Sequence, residues 1–488
     1  MRIPFSSTLF ATSAVVIAAC SATQSGGVGQ PSADEGKDAA AAPAPSPAAR
    51  DEITLGAEPQ RSGDPAKGYR ALVNEAYVPC GIPYSVYATV IGPAAPGDRI
   101  EGRVGPNVDL PYNFTAFTTK EGVKLVTSNC LTCHAGRING KLVVGLGGAD
   151  GDFTANQTLQ AEAAGTFIVD PAERREWRKW ADRVEAIAPW AVLDTMGVNP
   201  ADSFTAVLFA HHDPKTLAWS QTPLLPLPAT PFVIPVDVPP WWRMKKKAAM
   251  FYNGAGRGDH ARIMMAASLL CSSSVEESRA IDAYFPDIEA WILSLQPPAY
   301  AFPIDAALAT KGRAVFDATC ARCHGTYGAS PTYPNKLIPL SEIGTDEMLV
   351  SDQAQFGPPF VGWLKSSFFG EVSRLEPGHG YVAPPLDGIW ATAPYLHNGA
   401  VPTLAALLDS TKRPRFWARS FDSTDYDPVA VGWRYRAPDH GKDGEATTKG
   451  KKQLYDTTRP GYSNGGHTFG DALSDTNRSA VIEYLKTL

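Results

Sequence analysis

Two cysteine pairs carry the same five-residue pattern, Cys130-Leu131-Thr132-Cys133-His134 and Cys320-Ala321-Arg322-Cys323-His324. Two thiols three residues apart on a tight helical turn can form thioethers with the two vinyl groups of one porphyrin, and the histidine that follows then sits under the iron as an axial ligand. The spacing reads as the attachment signature of c-type haem. Cys130, Cys133, Cys320 and Cys323 are the covalent anchors and His134 and His324 the proximal iron ligands. A zinc site or a thioredoxin-like dithiol uses a similar cysteine pair, but neither accounts for an adjoining histidine in both copies on a chain with an export signal.

Helices must position these motifs. Residues 306–316 are amphipathic at helical spacing and lead into Cys320. The chain closes on a helical stretch over 475–488, with Ala480, Ile482, Tyr484 and Leu485 as apolar members. A further helical stretch over 287–295 carries Ile288, Trp291, Ile292 and Leu295, and Gln296-Pro297-Pro298 stops it. Two helical units follow, 67–298 and 303–488, each with one motif. The first is longer than a minimal haem domain needs, and its Pro, Gly and aromatic residues between 197 and 260 predict long ordered loops.

The N-terminal twenty residues read as an export signal, with Arg2 ahead of an apolar run too short to span a bilayer. Val16-Ile17-Ala18-Ala19-Cys20 resembles the lipobox of bacterial lipoproteins, which implies a lipidated Cys20, attachment to the membrane through that lipid alone, and a periplasmic body held at the outer membrane. Ordinary secretion is the competing reading. Residues 21–66 are rich in Ala, Pro, Ser and Gly, with almost no large apolar side chains, and predict a disordered tether. The formal net charge is -6 with both signs interspersed, so no basic field for nucleic acid exists. Of seven cysteines, Cys80 and Cys271 are left over, as either a disulfide or two buried thiols.

Beyond the two haem motifs, the chain carries Val143-Val144-Gly145-Leu146-Gly147, Pro239-Pro240-Trp241-Trp242 with the basic run 243–247, Gly256-Arg257-Gly258-Asp259, Trp390-Ala391-Thr392-Ala393-Pro394-Tyr395-Leu396-His397-Asn398-Gly399 and Gly465-Gly466-His467. With these strings it resembles the bacterial di-haem cytochrome c peroxidase superfamily, and within it the rubber oxygenase-like branch. The resemblance implies a mainly α fold of two cytochrome c-like domains with long ordered loops and few strands. It implies two covalently bound haems c, the N-terminal one meeting peroxide or dioxygen and the C-terminal one passing electrons. It also implies a histidine near the chain end as second ligand of the C-terminal haem, matched here by His467, and a tryptophan relay between the haems, matched by Trp242. In some members a calcium ion lies between the haems. The chain is shorter than the rubber enzyme and differs where the oxygen pocket forms, so the redox assignment carries over rather than polyisoprene cleavage.

For the sixth position of the second haem, His397 and Met348 compete with His467; a histidine gives a lower potential than a thioether. His260 is a candidate acid–base group for peroxide, or else a surface histidine paired with Asp259, which can cap a helix starting there. Met264 and Met265 point to the core or toward haem. Arg243, Lys245, Lys246 and Lys247 either neutralise haem propionates or form a solvated face. The function expected is a periplasmic di-haem oxidoreductase served by a small redox protein or a small-molecule oxidant; the alternative is a di-haem electron carrier without chemistry of its own.

Overall fold

Helix Ala306–Thr319 crosses helix Asp475–Leu485 at Gly312, where a Cβ would lie 1.8 Å from the Ala480 carbonyl oxygen. Only glycine lets the two backbones meet this closely. The same device recurs earlier: helix Pro65–Asn74 crosses helix Phe285–Ser294 at Gly68, and a Cβ there would lie 1.8 Å from the Asp287 carbonyl oxygen. Each crossing brackets one Cys-x-x-Cys-His motif. These relations come from a computed structural model that describes residues 52–351 and 357–488. The export signal, Cys20 and most of the tether lie outside the described residues.

The three helices read from the sequence are present as Ala306–Thr319, Asp475–Leu485 and Phe285–Ser294. Further helices carry no such signal in the sequence, among them Pro171–Ile187, capped by Asp170, and Ala201–Ala210 inside the stretch expected to be loops. From 211 to 240 the chain has no named helix or strand, as expected. The fold is mixed and mostly helical. The expectation of few strands is corrected, because the described residues form six small sheets of two or three short strands each. Their strands are five residues or shorter, so they pin loops rather than build a layer.

The N-terminal boundary also shifts. Residues after Glu52 were assigned to the tether, yet Ile53–Thr54 pairs with Lys336–Pro339. Arg61 donates to both carboxylates of Asp259 and Asp282 at 2.7–2.8 Å. The segment is held by charge and strand pairing rather than by apolar burial. The chain also interlaces beyond 303. Helix Pro358–Ser366 packs into the core of the first half, where Trp363 stacks on Phe209 at 4.3 Å and donates to the His212 carbonyl.

Cys80 and Cys271 form a disulfide with Cα atoms 5.5 Å apart, both fully buried. The bridge closes a loop of 191 residues, which in the chain-entropy account places it at the upper end of the usual range. Cys271→Ser is expected to cost about 2–5 kcal/mol. Urea unfolding of the haem-loaded protein with and without reductant checks this; a loss below about 0.5 kcal/mol would show the bridge to be incidental. No helix among the described residues is long and apolar enough to cross a membrane.

Candidate haem-binding sites

Both motifs adopt the turn that their chemistry needs. In the first, Cys130–Thr132 is a 3-10 turn capped by Asn129, whose side chain accepts from Leu131 N at 2.9 Å and donates to Tyr112 O and Thr115 Oγ1. The His134 amide closes the turn on Cys130 O at 3.0 Å. The hairpin Ala135–Ile138 with Lys141–Val144 then folds back, so that Gly145 N donates to His134 O and Gly148 N to Cys133 O, both at 2.8 Å. In the second, Ala321–His324 is one helical turn with the same bond, His324 N to Cys320 O at 3.0 Å. Among the described residues, none of the four motif cysteines is taken up in a disulfide.

Cys130, Cys133, His134, Cys320, His324 and His467 line one continuous cavity of about 640 Å³. Its walls are largely apolar, with Phe204, Phe209, Met244, Phe251, Ile263 and Met264 among them. Burial holds the His134 imidazole down at about 4 and lowers His324, so both rings are neutral and carry a lone pair for a metal.

The clearest geometry is at the second motif. His324 Nδ1 meets the Pro384 carbonyl at 2.8 Å, which fixes that nitrogen as the donor and leaves Nε2 free. Facing it, the His467 ring stands 6.1 Å away, centre to centre, at 55°. Two imidazoles sharing one metal, each bonded at about 2 Å through a nitrogen about 1.1 Å from its ring centre, stand with centres about 6 Å apart. The pair therefore fits one iron between them. His467 is carried on a positive φ of 46°, and its amide donates to Ile343 O at 2.7 Å. Arg413 clamps the loop by donating to the carbonyls of Asn464, Gly466, His467 and Leu407 at 2.6–3.0 Å. Burial first, and then the neighbouring His324 imidazole, push His467 down to about 3.

The structure does not bring the rival ligands to this pair. His397 is buried and stacked on Tyr381 at 4.1 Å, with its Nε2 at 3.1 Å from the Tyr381 hydroxyl. Met348 lies in a turn beside Leu349 and Val350, away from the cavity wall.

At the first motif the neighbour is aromatic. Trp241 stacks on His134 at 4.7 Å and 19°. Trp242, which the resemblance matches to the relay, is buried in the core of the second half, where its Nε1 donates to Asp387 O at 2.8 Å. The two tryptophans thus face opposite sides. Trp241 covers His134, and Trp242 rests on the segment whose Pro384 carbonyl holds His324.

His260 is not a surface histidine. It is 4 % exposed, lines the cavity, and begins helix His260–Met264, which Asp259 caps as expected. Asp259 is paired with Arg61 rather than with His260, while the His260 amide donates to Gln60 at 2.8 Å. The carboxylate near the ring is Glu289, 3.9 Å from His260 Nδ1. Among the described residues, both Glu289 side-chain oxygens and His260 Nε2 are buried without a hydrogen-bond partner. Burial pushes Glu289 up to about 7 and His260 down to about 4. Helical phasing could have found Glu289, since it stands one turn after Phe285 on the face that also buries Ile288 and Ile292. Of the two methionines, Met265 is core and Met264 faces the cavity. Among the described residues, no group of three or more His, Cys, Asp or Glu side chains converges as a metal site for the calcium that the resemblance implies.

A chain with two such motifs, a cavity that serves both and paired neutral imidazoles has the features of a cytochrome c-like haem protein. Residues 380–418 match the family model described as RoxA-like, cytochrome c-like. That stretch holds Pro384, whose carbonyl takes His324 Nδ1, and Arg413, which clamps the His467 loop. The chain is also similar to two curated proteins of Sinorhizobium fredii (strain NBRC 101917 / NGR234). The uncharacterized protein y4iM is 29% identical, over 53% of this chain and 65% of the relative. The uncharacterized protein y4iJ is 30% identical, over 42% of this chain and 43% of the relative. The chain thus spans less than two thirds of the length of each.

Proposed function

We propose that the protein is a periplasmic di-haem c-type oxidoreductase in which small oxidants, peroxide or dioxygen, reach the His134 site and the His324 site passes electrons. The two cytochrome c-like units are 67–298 and 303–488, the first completed by residues 53–66 and by helix Pro358–Ser366, and Cys20 is the lipid anchor. Iron in the attached porphyrins supplies one-electron chemistry and, at an open position, oxidant binding. The chain's own residues supply the asymmetry. His324 and His467 oppose each other at a spacing at which the two rings would hold one iron between them, while His134 has a tryptophan at its side.

That asymmetry carries the reading. His260 lines the cavity and Glu289 lies behind it, 3.9 Å from its Nδ1: at neutral pH the imidazole is neutral and can accept a proton from an incoming peroxide, and the carboxyl, pushed up to about 7, can relay it. The apolar side chains around them exclude water. Trp241 and Trp242, adjacent in the chain, join the His134 ring to the Pro384–Asp387 segment that holds His324, and a small redox protein is the expected electron partner.

One observation favours the carrier reading. His260 lines the cavity, and its Nε2, without a hydrogen-bond partner among the described residues, is chemically able to serve as a second ligand at the His134 site. Spectra decide between the two. His134→Ala is expected to abolish binding of cyanide, carbon monoxide and peroxide in both the oxidised and the half-reduced protein, whereas His324→Ala leaves the first site reactive. Loss of reactivity in His324→Ala alone would reverse the division of labour, and ligand binding at neither haem of the unaltered protein in either state would establish the carrier.

A further inference from the structure

The basic run 243–247 divides into two pairs. Lys245 is exposed and donates to Leu295 O and Gln296 Oε1 at 2.9–3.0 Å. Lys246 takes both carboxylate oxygens of Asp387 at 2.7–2.8 Å. Arg243 and Lys247, by contrast, line the cavity. Arg243 is 6 % exposed and reaches only neutral acceptors, the Asp387 carbonyl at 3.0 Å and Thr392 Oγ1 at 3.4 Å. Lys247 makes no side-chain hydrogen bond or ion pair among the described residues, and it lies within electrostatic reach of the like charge on Arg243.

Two cations side by side on the wall of an apolar cavity are costly unless an anion answers them. The local carboxylates do not. Asp387 is taken by Lys246, and Asp237, hydrogen-bonded to Tyr252 at 3.3 Å, is pushed up to about 8 by burial and is neutral at pH 7. Glu289 is directed at His260. Asp202, also on the cavity wall, lies outside the electrostatic reach of both cations, so this stretch of wall carries positive charge that no neighbouring carboxylate answers, inside the cavity that both attachment motifs share.

We propose that Arg243 and Lys247 form a two-cation clamp for the propionate carboxylates of attached haem, with Lys247 as the member whose charge sets the potential of the haem that it holds. This rests on the di-haem reading above. The sign follows from electrostatics. Reduction adds an electron to the iron; a propionate left without its cation places negative charge nearby and favours the ferric form, so the midpoint falls.

The experiment is an optical redox titration of haem-loaded Lys247→Met and Lys247→Gln, with Lys247→Arg and the outward-facing Lys245→Met beside them. A pyridine haemochrome assay of each variant first counts thioether-linked haem, so that failure of the di-haem reading is seen separately. With two haems attached, removal of the Lys247 charge is expected to lower one midpoint by a tenfold or greater change in the ferrous-to-ferric ratio at fixed poise, about 59 mV for one electron. Lys247→Arg restores the midpoint, and Lys245→Met leaves both unchanged. Where Lys247→Met does not mature, Lys247→Gln gives the same reading. Both midpoints unmoved in a charge-removing variant that retains two haems would overturn the clamp. Unmoved midpoints with a lost spectral response to added acetate would assign Lys247 to a free carboxylate instead, and would equally overturn it.

Discussion

Replacing all four motif cysteines, Cys130, Cys133, Cys320 and Cys323, with alanine is expected to abolish cooperative folding rather than merely bleach the protein. The cavity that the motifs line has a volume of about 640 Å³. At about 24 cal/mol per Å³, leaving that space unfilled costs about 15 kcal/mol if nothing relaxes, as large as the entire stability of an ordinary domain. The walls cannot simply close. Gly68 and Gly312 already bring their helix pairs into backbone contact, and the Cys80–Cys271 bridge fixes the outer layer of the first half. Collapse would have to break these contacts, so the chain should instead populate an expanded state with exposed apolar surface. Thermal circular dichroism and dye binding check this. A sharp transition within a few degrees of the haem-loaded protein would show that the core does not depend on the prosthetic group.

The sequence made the chemistry legible and much of its scaffold illegible, for physical reasons that differ residue by residue. The two attachment motifs were readable because the porphyrin dictates their spacing. Helices 306–319 and 475–485 were readable because each must show one apolar face. The stretch 53–66 was misread because composition registers apolar burial, whereas Arg61 orders this segment through carboxylates about 200 residues away. The surface alternative for His260 fails for a similar reason: adjacency to Asp259 suggests a pair, but the carboxylate belongs to Arg61 and the ring's own neighbour, Glu289, comes from another helix. Between Trp241 and Trp242 no local signal distinguishes the two, since a short 3-10 segment alone decides which faces His134. The return of helix Pro358–Ser366 to the first core could not be read either, because it depends on a long-range stack of Trp363 on Phe209.

His467→Ala is expected to convert the second haem from a six-coordinate, low-spin centre into one that is high-spin when oxidised and binds carbon monoxide when reduced. The ring supplies one of two imidazoles set 6.1 Å apart, and neither rival replaces it. His397 is held by Tyr381, and Met348 sits in a turn away from the cavity. Restoring a ligand of a different kind tests the assignment further: His467→Met should raise the midpoint of that haem, because thioether sulfur favours reduced iron. His397→Phe, which keeps the stack on Tyr381, should leave the low-spin signal intact. The loop geometry adds a positioning test. Arg413 donates to four carbonyls around His467, and Arg413→Lys keeps the charge but cannot reproduce that planar fork. The expected result is a mixture of low- and high-spin forms whose low-spin share falls on warming, as the loop leaves the iron more often. A low-spin spectrum unchanged in His467→Ala would remove His467 from the site, and with it the asymmetry that distinguishes an electron-passing haem from an oxidant-binding one.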